Sequence, residues 1–148
     1  MDNTDYKILE LMQQHGRISM KDLGKTVGLT APAVSERVKK MEDQGIISGY
    51  KAIINHAKLG RTISAFIDLS MSSEHYNSFI EFANSNESIV ECHHVTGGDS
   101  LIIKVLVADI IELETLIDEI KKMGRTNTSI ILSSPIENKA IHYKSDLL

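Results

Sequence analysis

The chain has 148 residues, of which 42% are hydrophobic and 24% charged, enough apolar material for one ordinary domain or two small ones. Its formal net charge of −4 argues at first sight against a nucleic-acid partner, but the charge is unevenly distributed. Residues 1–61 carry ten Lys or Arg against seven Asp or Glu, whereas residues 62–148 carry six against thirteen, so the average hides a locally basic first part.

Membrane insertion, export and disulfide crosslinking are all disfavoured by the sequence. The best candidate for a membrane span, Leu101 to Ala108, is far too short and is interrupted by Lys104. The acidic start from Met1 to Asp5 is unlike a signal peptide. A single cysteine, Cys92, excludes an intrachain disulfide and fits a reducing cytoplasm, which is therefore the expected location.

Two short helices are predicted at the start of the chain. The apolar spacing from Asp5 to Met12 is typical of an amphipathic helix, with Asn3 or Thr4 as its N-cap. Ser19 to Asp22 has the form of a capping box, so a second helix is expected to begin there and to end at Gly28.

A third helix is predicted from Thr30, its N-cap, to about Gln44, with Gly45 suited to the left-handed position after its end. Pro32 is tolerated in its first turn. Its buried stripe is expected to consist of Val34, Val38 and Met41. Because only a few residues around Gly28 join the second helix to the third, the pattern is that of a helix-turn-helix.

The side of the third helix that faces away from this stripe is a candidate DNA-binding surface, which we call the reading face. Small residues allow close approach to base edges, and the basic residues can reach phosphates or guanine. The reading face comprises Thr30, Ala31, Pro32, Ala33, Ser35, Glu36, Arg37, Lys39 and Lys40.

The segment from Ile46 to Ile54, with Ser48-Gly49 as a turn, is expected to form a two-stranded wing that carries Lys51 to the DNA. Spacing alone leaves a second interpretation open, because small three-helix units also serve as protein-binding modules.

Beyond residue 61 the pattern changes to alternating strands and helices in the order β-α-β-β-α-β, a ferredoxin-like arrangement. The predicted elements are strands at Thr62–Met71, Ile89–Thr96, Leu101–Ala108 and Thr128–Ser133, and helices at Ser73–Phe82 and Asp109–Met123. The sequence thus predicts an α+β protein with a winged helix-turn-helix domain (residues 1–54), a linker (55–61) and a ferredoxin-like domain (62–148).

Association of two chains follows from the same pattern. Two helices can cover only one face of a four-stranded sheet, yet Leu101 to Ala108 is apolar on both faces. A second copy of the chain is the simplest cover for the other face.

These residues resemble the leucine-responsive/asparagine-regulator (Lrp/AsnC) family of transcription regulators along essentially the whole chain. The matching strings are Asp5-x-x-Ile8-Leu9-x-x-Met12, Gly16-Arg17-Ile18-Ser19, Leu23-Gly24, Val27-Gly28-Leu29-Thr30 and Val34-Ser35-x-Arg37-Val38-x-x-Met41-Glu42-x-x-Gly45-Ile46-Ile47. The resemblance implies binding to double-stranded DNA, a C-terminal ferredoxin-like (RAM) domain, and dimers that assemble further into tetramers or octamers.

The resemblance also implies a small effector, commonly an amino acid, bound near the loop between the second and third strands. In this sequence the candidate effector residues are Gly97, Gly98, Asp99 and Ser100. The loop departs from the family, since Ser100 and Leu101 stand where many amino-acid-binding members carry Asp and an aromatic residue, and Asp99 lies one place earlier. A shift of one residue in a strand turns a side chain to the other face, so the effector's identity, and even its use, stay open.

No pattern indicates an enzyme, a cofactor or a metal site. Cys92 and His94 alternate with His93, so the three side chains cannot converge locally on a metal ion. Asp99 and Ser100 lack a nucleophile elbow, and no acid–base or nucleophile–base pair stands out for a ferredoxin-like enzyme.

Overall fold

The computed structural model describes residues 1–97 and 101–142 and, apart from the predicted wing, has the predicted order of elements. Three helices come first, and a four-stranded sheet with two further helices follows. The helices are α1 (Asn3–Gln14), α2 (Met20–Val27), α3 (Ala31–Asp43), α4 (Tyr76–Ser85) and α5 (Ile110–Ile120). The strands are β1 (Ile63–Ser70), β2 (Ile89–His94), β3 (Leu101–Val107) and β4 (Arg125–Ile130), and short 3₁₀ turns lie at His56–Leu59 and Ser73–His75.

The chain divides into two compact units. The second unit is Ile54–Pro135, and the first unit is Met1–Ile53 together with the described residues from 136 to 142. Two hydrogen bonds join this last segment to α1: Gln13 Nε2 donates to the Ile141 carbonyl at 3.0 Å, and the Ile141 N–H donates to Gln13 Oε1 at 2.8 Å. The domain boundaries given by the sequence, 1–54, 55–61 and 62–148, stay a prediction.

In the first unit the three helices share a small apolar core made of Ile8, Leu23, Val34, Val38 and Met41. The predicted buried stripe of α3 is thereby confirmed. Ser19 and Thr30 cap α2 and α3 as expected, since each side-chain oxygen accepts a backbone N–H three residues on. Gly28 and Gly45, with φ of 73° and 69°, take up the left-handed conformation after the helix ends.

The predicted N-cap of α1, Asn3 or Thr4, is wrong, because Asp2 is the cap. The Asp5 N–H donates to Asp2 Oδ1 at 3.0 Å and the Asp2 N–H donates to Asp5 Oδ2 at 2.9 Å. This reciprocal pair is a capping box with aspartate at both positions, and it starts the helix earlier than the apolar spacing indicated.

The predicted two-stranded wing is also wrong, since residues 46–54, all of which the structure describes, contain no strand. The N–H groups of Ile46 and Ile47 both donate to the carbonyl of Met41, so the chain turns back on the end of α3 and these donors are not available for a strand ladder. Further along, the Tyr50 hydroxyl donates to Glu42 Oε1 at 2.6 Å.

The second unit confirms the ferredoxin-like prediction. Its sheet has the strand order β2-β3-β1-β4 with every neighbouring pair antiparallel. Helices α4 and α5 pack on one face of it, over a core of Ala65, Ile67, Leu69, Phe79, Leu101, Ile103, Val105, Val107, Leu113, Leu116 and Ile120. The last strand begins at Arg125 rather than the expected Thr128, because Arg125 pairs with Ser70 at the end of β1.

Helices α2 and α3 are joined by a turn that passes very close to Gly24. The Leu29 N–H donates to the Gly24 carbonyl at 2.9 Å. A Cβ built on Gly24 would lie 2.5 Å from the Leu29 carbonyl oxygen, which belongs to the backbone and cannot rotate away. A residue without a side chain is therefore required for the crossing of these two helices.

We predict that Gly24→Ala destabilises the first unit by about 1–3 kcal/mol, the usual range for overpacking. Helix propensity alone would favour alanine by about 1 kcal/mol, so the sign of the change identifies the clash. Gly16→Ala is the matched control, since nothing lies within 4 Å of its Cβ position. Urea unfolding followed by circular dichroism measures both. A Gly24→Ala protein as stable as the wild type would contradict the prediction.

Candidate nucleic-acid interface and effector domain

Six of the nine residues of the reading face lie on the exposed side of α3 or at its cap, and three lie nearer the apolar core. Thr30, Pro32, Ser35, Glu36, Lys39 and Lys40 are exposed, whereas Ala31, Ala33 and Arg37 are half-buried. Lys51 is exposed in the irregular segment that follows the helix. All ten sequence-predicted DNA-binding residues thus belong to the first unit, and nine of them, all but Lys51, share one helix or its cap.

Charge is not uniform along α3. Its first turn contains no acidic residue, and the N-terminal end of a helix carries free N–H groups and a partial positive charge. Lys39 and Lys40 have no ion pair within residues 1–97 and 101–142, so both ammonium groups are available. Glu42 and Asp43 make the C-terminal end acidic. Burial and hydrogen bonding to Glu42 raise the pKa of Tyr50 to about 12.

Arg37 differs from the other basic residues of the reading face because two carboxylates hold its guanidinium. Arg37 Nη1 lies 2.8 Å from Asp2 Oδ2 and 2.7 Å from Asp5 Oδ1. Hydrogen bonding to Asp5 and Asp2 raises the pKa of Arg37, and hydrogen bonding to Arg37 lowers the pKa of Asp2. The three groups, which we call the α1–α3 ion triad, connect the start of α1 to the middle of α3.

Two cationic residues outside α3 were missed by the sequence reasoning. Arg17, just before α2, and Lys21, in its first turn, are exposed and have no ion pair in the described part of the chain. They contribute to the basic excess of residues 1–61, a signal that could have identified them. Neither residue belongs to the third helix, on which the predicted DNA-binding surface lies.

The candidate effector loop lies mostly outside the described residues. Of its four predicted residues only Gly97 is described, with a φ of 125° that favours glycine; Gly98, Asp99 and Ser100 are not. The strands on either side pair at His94 and Leu101, as the predicted β2–β3 connection requires.

A polar cluster that the sequence did not predict lies in the second unit around Glu112. Its carboxylate accepts the Ala108 N–H at 2.8 Å, the Ser88 hydroxyl at 2.7 Å and Arg61 Nη1 at 2.6 Å. The bond from Ala108, followed by that from Ser88, lowers the pKa of Glu112. This cluster fixes the chain just before β1 to the start of α5.

The face of the sheet opposite to α4 and α5, which we call the open sheet face, carries apolar side chains without a covering helix. Phe66 is exposed, and Ile102 and Leu106 are half-buried. Charged groups lie among them. Lys104, the register partner of Phe66, has its Nζ 3.5 Å from Glu91 Oε1, and His93 Nε2 lies 3.3 Å from Glu91 Oε2. The open sheet face is therefore a mixture of exposed apolar and charged side chains.

The Cys92-His93-His94 string separates as alternation predicted. Cys92 packs against the core of the second unit, where burial raises the pKa of its thiol. The His94 ring stacks at 6.0 Å from that of Tyr76, and His93 pairs with Glu91. Among the described residues no three His, Cys, Asp or Glu side chains are placed to hold a metal ion. No helix in that part of the chain is long and apolar enough to cross a membrane.

The first unit is a helix-turn-helix with two exposed lysines on its third helix, and the second is a ferredoxin-like sheet. This combination places the chain in the class of helix-turn-helix transcription regulators. The family model for winged helix-turn-helix DNA-binding matches residues 1–48, and that for the Lrp/AsnC ligand binding domain matches residues 64–141. The chain belongs to the Lrp/AsnC family and is a DNA-binding transcription regulator of that type.

Individual relatives agree with this assignment. The chain is 42% identical to the uncharacterized HTH-type transcriptional regulator YezC of Bacillus subtilis, over 90% of this chain and 95% of the relative. The structure of Bacillus subtilis LrpC superposes with a TM-score of 0.87 at 27% identity, covering 94% of this chain and 99% of LrpC. A Neisseria meningitidis transcriptional regulator solved as an L-methionine complex has the same fold, with a TM-score of 0.89 at 21% identity and coverage of 95% and 96%.

Proposed function

We propose that the protein regulates transcription in the cytoplasm as a homodimer or higher oligomer, that the N-terminal half of α3 enters the major groove, and that a small effector modulates it. The observation that carries the DNA-contact proposal is the placement of Lys39, Lys40 and an acid-free helix start on one exposed side of α3. The second unit, which has no basic excess, is then left for association and for the effector.

The docking geometry follows from exposure and charge. Thr30, Pro32 and Ser35 are small or short enough to let the helix start approach base edges. The ammonium groups of Lys39 and Lys40 suit phosphates on the wall of the groove. Lys51, exposed beyond the end of α3, is proposed to reach a neighbouring phosphate. The acidic residues near the end of α3, Glu42 and Asp43, are expected to stay outside the groove.

We predict that affinity for a duplex containing the protein's own promoter falls linearly on a log–log plot against salt, because bound lysines release counterions. Lys39→Ala/Lys40→Ala should weaken binding and reduce the slope by about 0.9 for each phosphate that is no longer neutralised. Fluorescence anisotropy over a range of salt concentrations measures both quantities.

Lys122→Ala, in the turn that follows α5 in the second unit, is the control, since it removes the charge of an exposed surface lysine outside the proposed interface. It should bind as the wild type does. A salt-independent affinity, or an equally weakened control, would count against the proposed face.

Dimerisation is proposed to use the open sheet face. Phe66, Ile102 and Leu106 would otherwise leave apolar surface in water around the Glu91–Lys104 ion pair. A two-fold arrangement places the same patch of each copy against the other, so both open sheet faces would be covered in one contact. Two reading faces in one particle also suit an operator with two half-sites.

Phe66→Asp should therefore convert the dimer to a monomer, because it replaces an apolar side chain of the contact with a carboxylate that would have to be desolvated. Ile111→Asp is the matched control: Ile111 is 73% exposed, but it lies at the start of α5 on the helical side of the sheet. Size-exclusion chromatography with light scattering distinguishes the two species. A Phe66→Asp protein that remains dimeric at low micromolar concentration would exclude this face.

The effector proposal draws on the ligand binding domain match and on the methionine complex of the Neisseria relative. We propose an amino acid as the effector class, with the connection from Gly97 to Ser100 near its binding site. Asp99 is the residue of that connection with the chemistry to bind an amino group. No cofactor is proposed.

A thermal-shift screen against the twenty amino acids tests this proposal. A ligand at one hundred times its Kd stabilises the folded protein by about 2.7 kcal/mol. Asp99→Asn should abolish the shift, and Asp118→Asn, an equal charge change on the exposed side of α5 beside Lys121, should keep it. If no amino acid raises Tm, the protein acts without an amino-acid effector.

A further inference from the structure

We propose that Arg37 positions the reading face rather than binding DNA: through the α1–α3 ion triad it sets the orientation of α3 and takes no phosphate itself. This inference rests on the proposed DNA-binding function and changes the role of one residue within it. Sequence position alone had placed Arg37 with Lys39 and Lys40.

The first support is the way in which the two carboxylates are held. Each uses one oxygen for the α1 capping box and the other for Arg37: Asp2 accepts through Oδ1 from the backbone and Oδ2 from the guanidinium. Asp5 accepts through Oδ2 from the backbone and Oδ1 from the guanidinium. The capping box therefore already fixes the conformations of both aspartate side chains, so they lose little further conformational entropy when Arg37 binds them.

The second support is burial. The Asp5 side chain is 13% exposed and that of Arg37 34% exposed, whereas Lys39 and Lys40 are exposed. Arg37 lies one residue before the buried Val38 and three after the buried Val34, on the flank of the apolar stripe. Its stem therefore runs along the α1–α3 seam, and withdrawing it would leave a half-buried carboxylate unpaired.

The third support is charge. Two carboxylates against one guanidinium leave the triad with a net charge of −1, so it repels a phosphate instead of attracting one. To bind DNA, Arg37 would have to break its two short charge-assisted hydrogen bonds to Asp2 and Asp5 and would gain one such bond to a phosphate. The gain in the complex would be smaller than for Lys40, which has no ion pair among the described residues.

The triad affects function through the orientation of α3. In addition to the shared apolar core, it connects α1 to α3 and fixes the rotation of α3 about its axis. Apolar packing tolerates small rotations, whereas hydrogen bonds of 2.7 and 2.8 Å to two fixed carboxylates do not. Rotation of α3 moves every base-facing side chain at once, so loss of the triad lowers DNA affinity although every DNA-facing side chain is still present.

The experiment compares the salt dependence of promoter binding for four variants of the full chain: Arg37→Met, Asp5→Asn, Asp43→Asn and Lys40→Ala. Arg37→Met and Asp5→Asn should each weaken binding several-fold and leave the slope of log affinity against log salt unchanged. Lys40→Ala should reduce the slope by about 0.9. Asp43→Asn removes the same charge as Asp5→Asn from the exposed end of α3, outside the triad, and should bind as tightly as the wild type or more tightly.

Three results would overturn the inference. A slope reduced by about 0.9 in Arg37→Met would show that Arg37 takes a phosphate. Tighter or more salt-dependent binding by Asp5→Asn would show that Arg37 binds a phosphate when its ion pair with Asp5 is removed. This variant tests the inference even if Arg37→Met does not fold. If Arg37→Met and Asp5→Asn lower Tm but bind promoter DNA as tightly as the wild type at temperatures where they are folded, the triad stabilises the fold without positioning the reading face. Failure of the proposed function itself is distinct, because the wild type would then bind no duplex.

Discussion

Helices of 12, 8 and 13 residues are too short to be stable alone in water, so the first unit depends on the five side chains that they bury together. That constraint decides which surface is free. Because Val34, Val38 and Met41 must face the shared core, the opposite side of α3 must face outward. A basic surface on a rigid helix is thus a consequence of core packing rather than a separate feature.

The close approach at Gly24 and the ion triad act on this core in different ways. Gly24 sets how near α2 comes to the turn before α3, through backbone contact alone. The triad fixes α3 relative to the start of α1 by directional bonds between charged groups. Apolar burial supplies most of the stability of such a unit, whereas polar interactions of this kind make one packing arrangement preferable to its neighbours.

Elements with a local cause were predictable from the sequence. The Ser19 and Thr30 caps, the Gly28 and Gly45 ends and the apolar stripe of α3 each depend on residues within a few positions of one another. The ferredoxin-like order followed from alternation of strand and helix periods for the same reason. The Asp2 cap of α1 does not follow from the sequence as readily, because aspartate at both capping-box positions is a less familiar form than serine with glutamate.

Features that depend on distant residues could not be predicted in this way. Arg37 was expected to face DNA because nothing near it in the sequence shows that the carboxylates of Asp2 and Asp5 lie 2.8 and 2.7 Å from its guanidinium. The cluster of Arg61, Ser88 and Glu112 joins residues up to 51 positions apart. The wing predicted for Ile46 to Ile54 is a different case, because its cause is local: the Met41 carbonyl at the end of α3 accepts the N–H groups of Ile46 and Ile47, a turn that the composition of the segment does not reveal.

The two hydrogen bonds between Gln13 and Ile141 have a consequence for the architecture of the gene product. The chain leaves the first unit near Ile53 and returns to it from Ile136, so the ferredoxin-like unit is topologically an insertion within the helical one. A fragment that ends after residue 54 lacks part of its own domain. A truncation that removes Ile141 takes away the hydrogen-bond partner of Gln13 on the first helix, which is the helix that anchors Arg37.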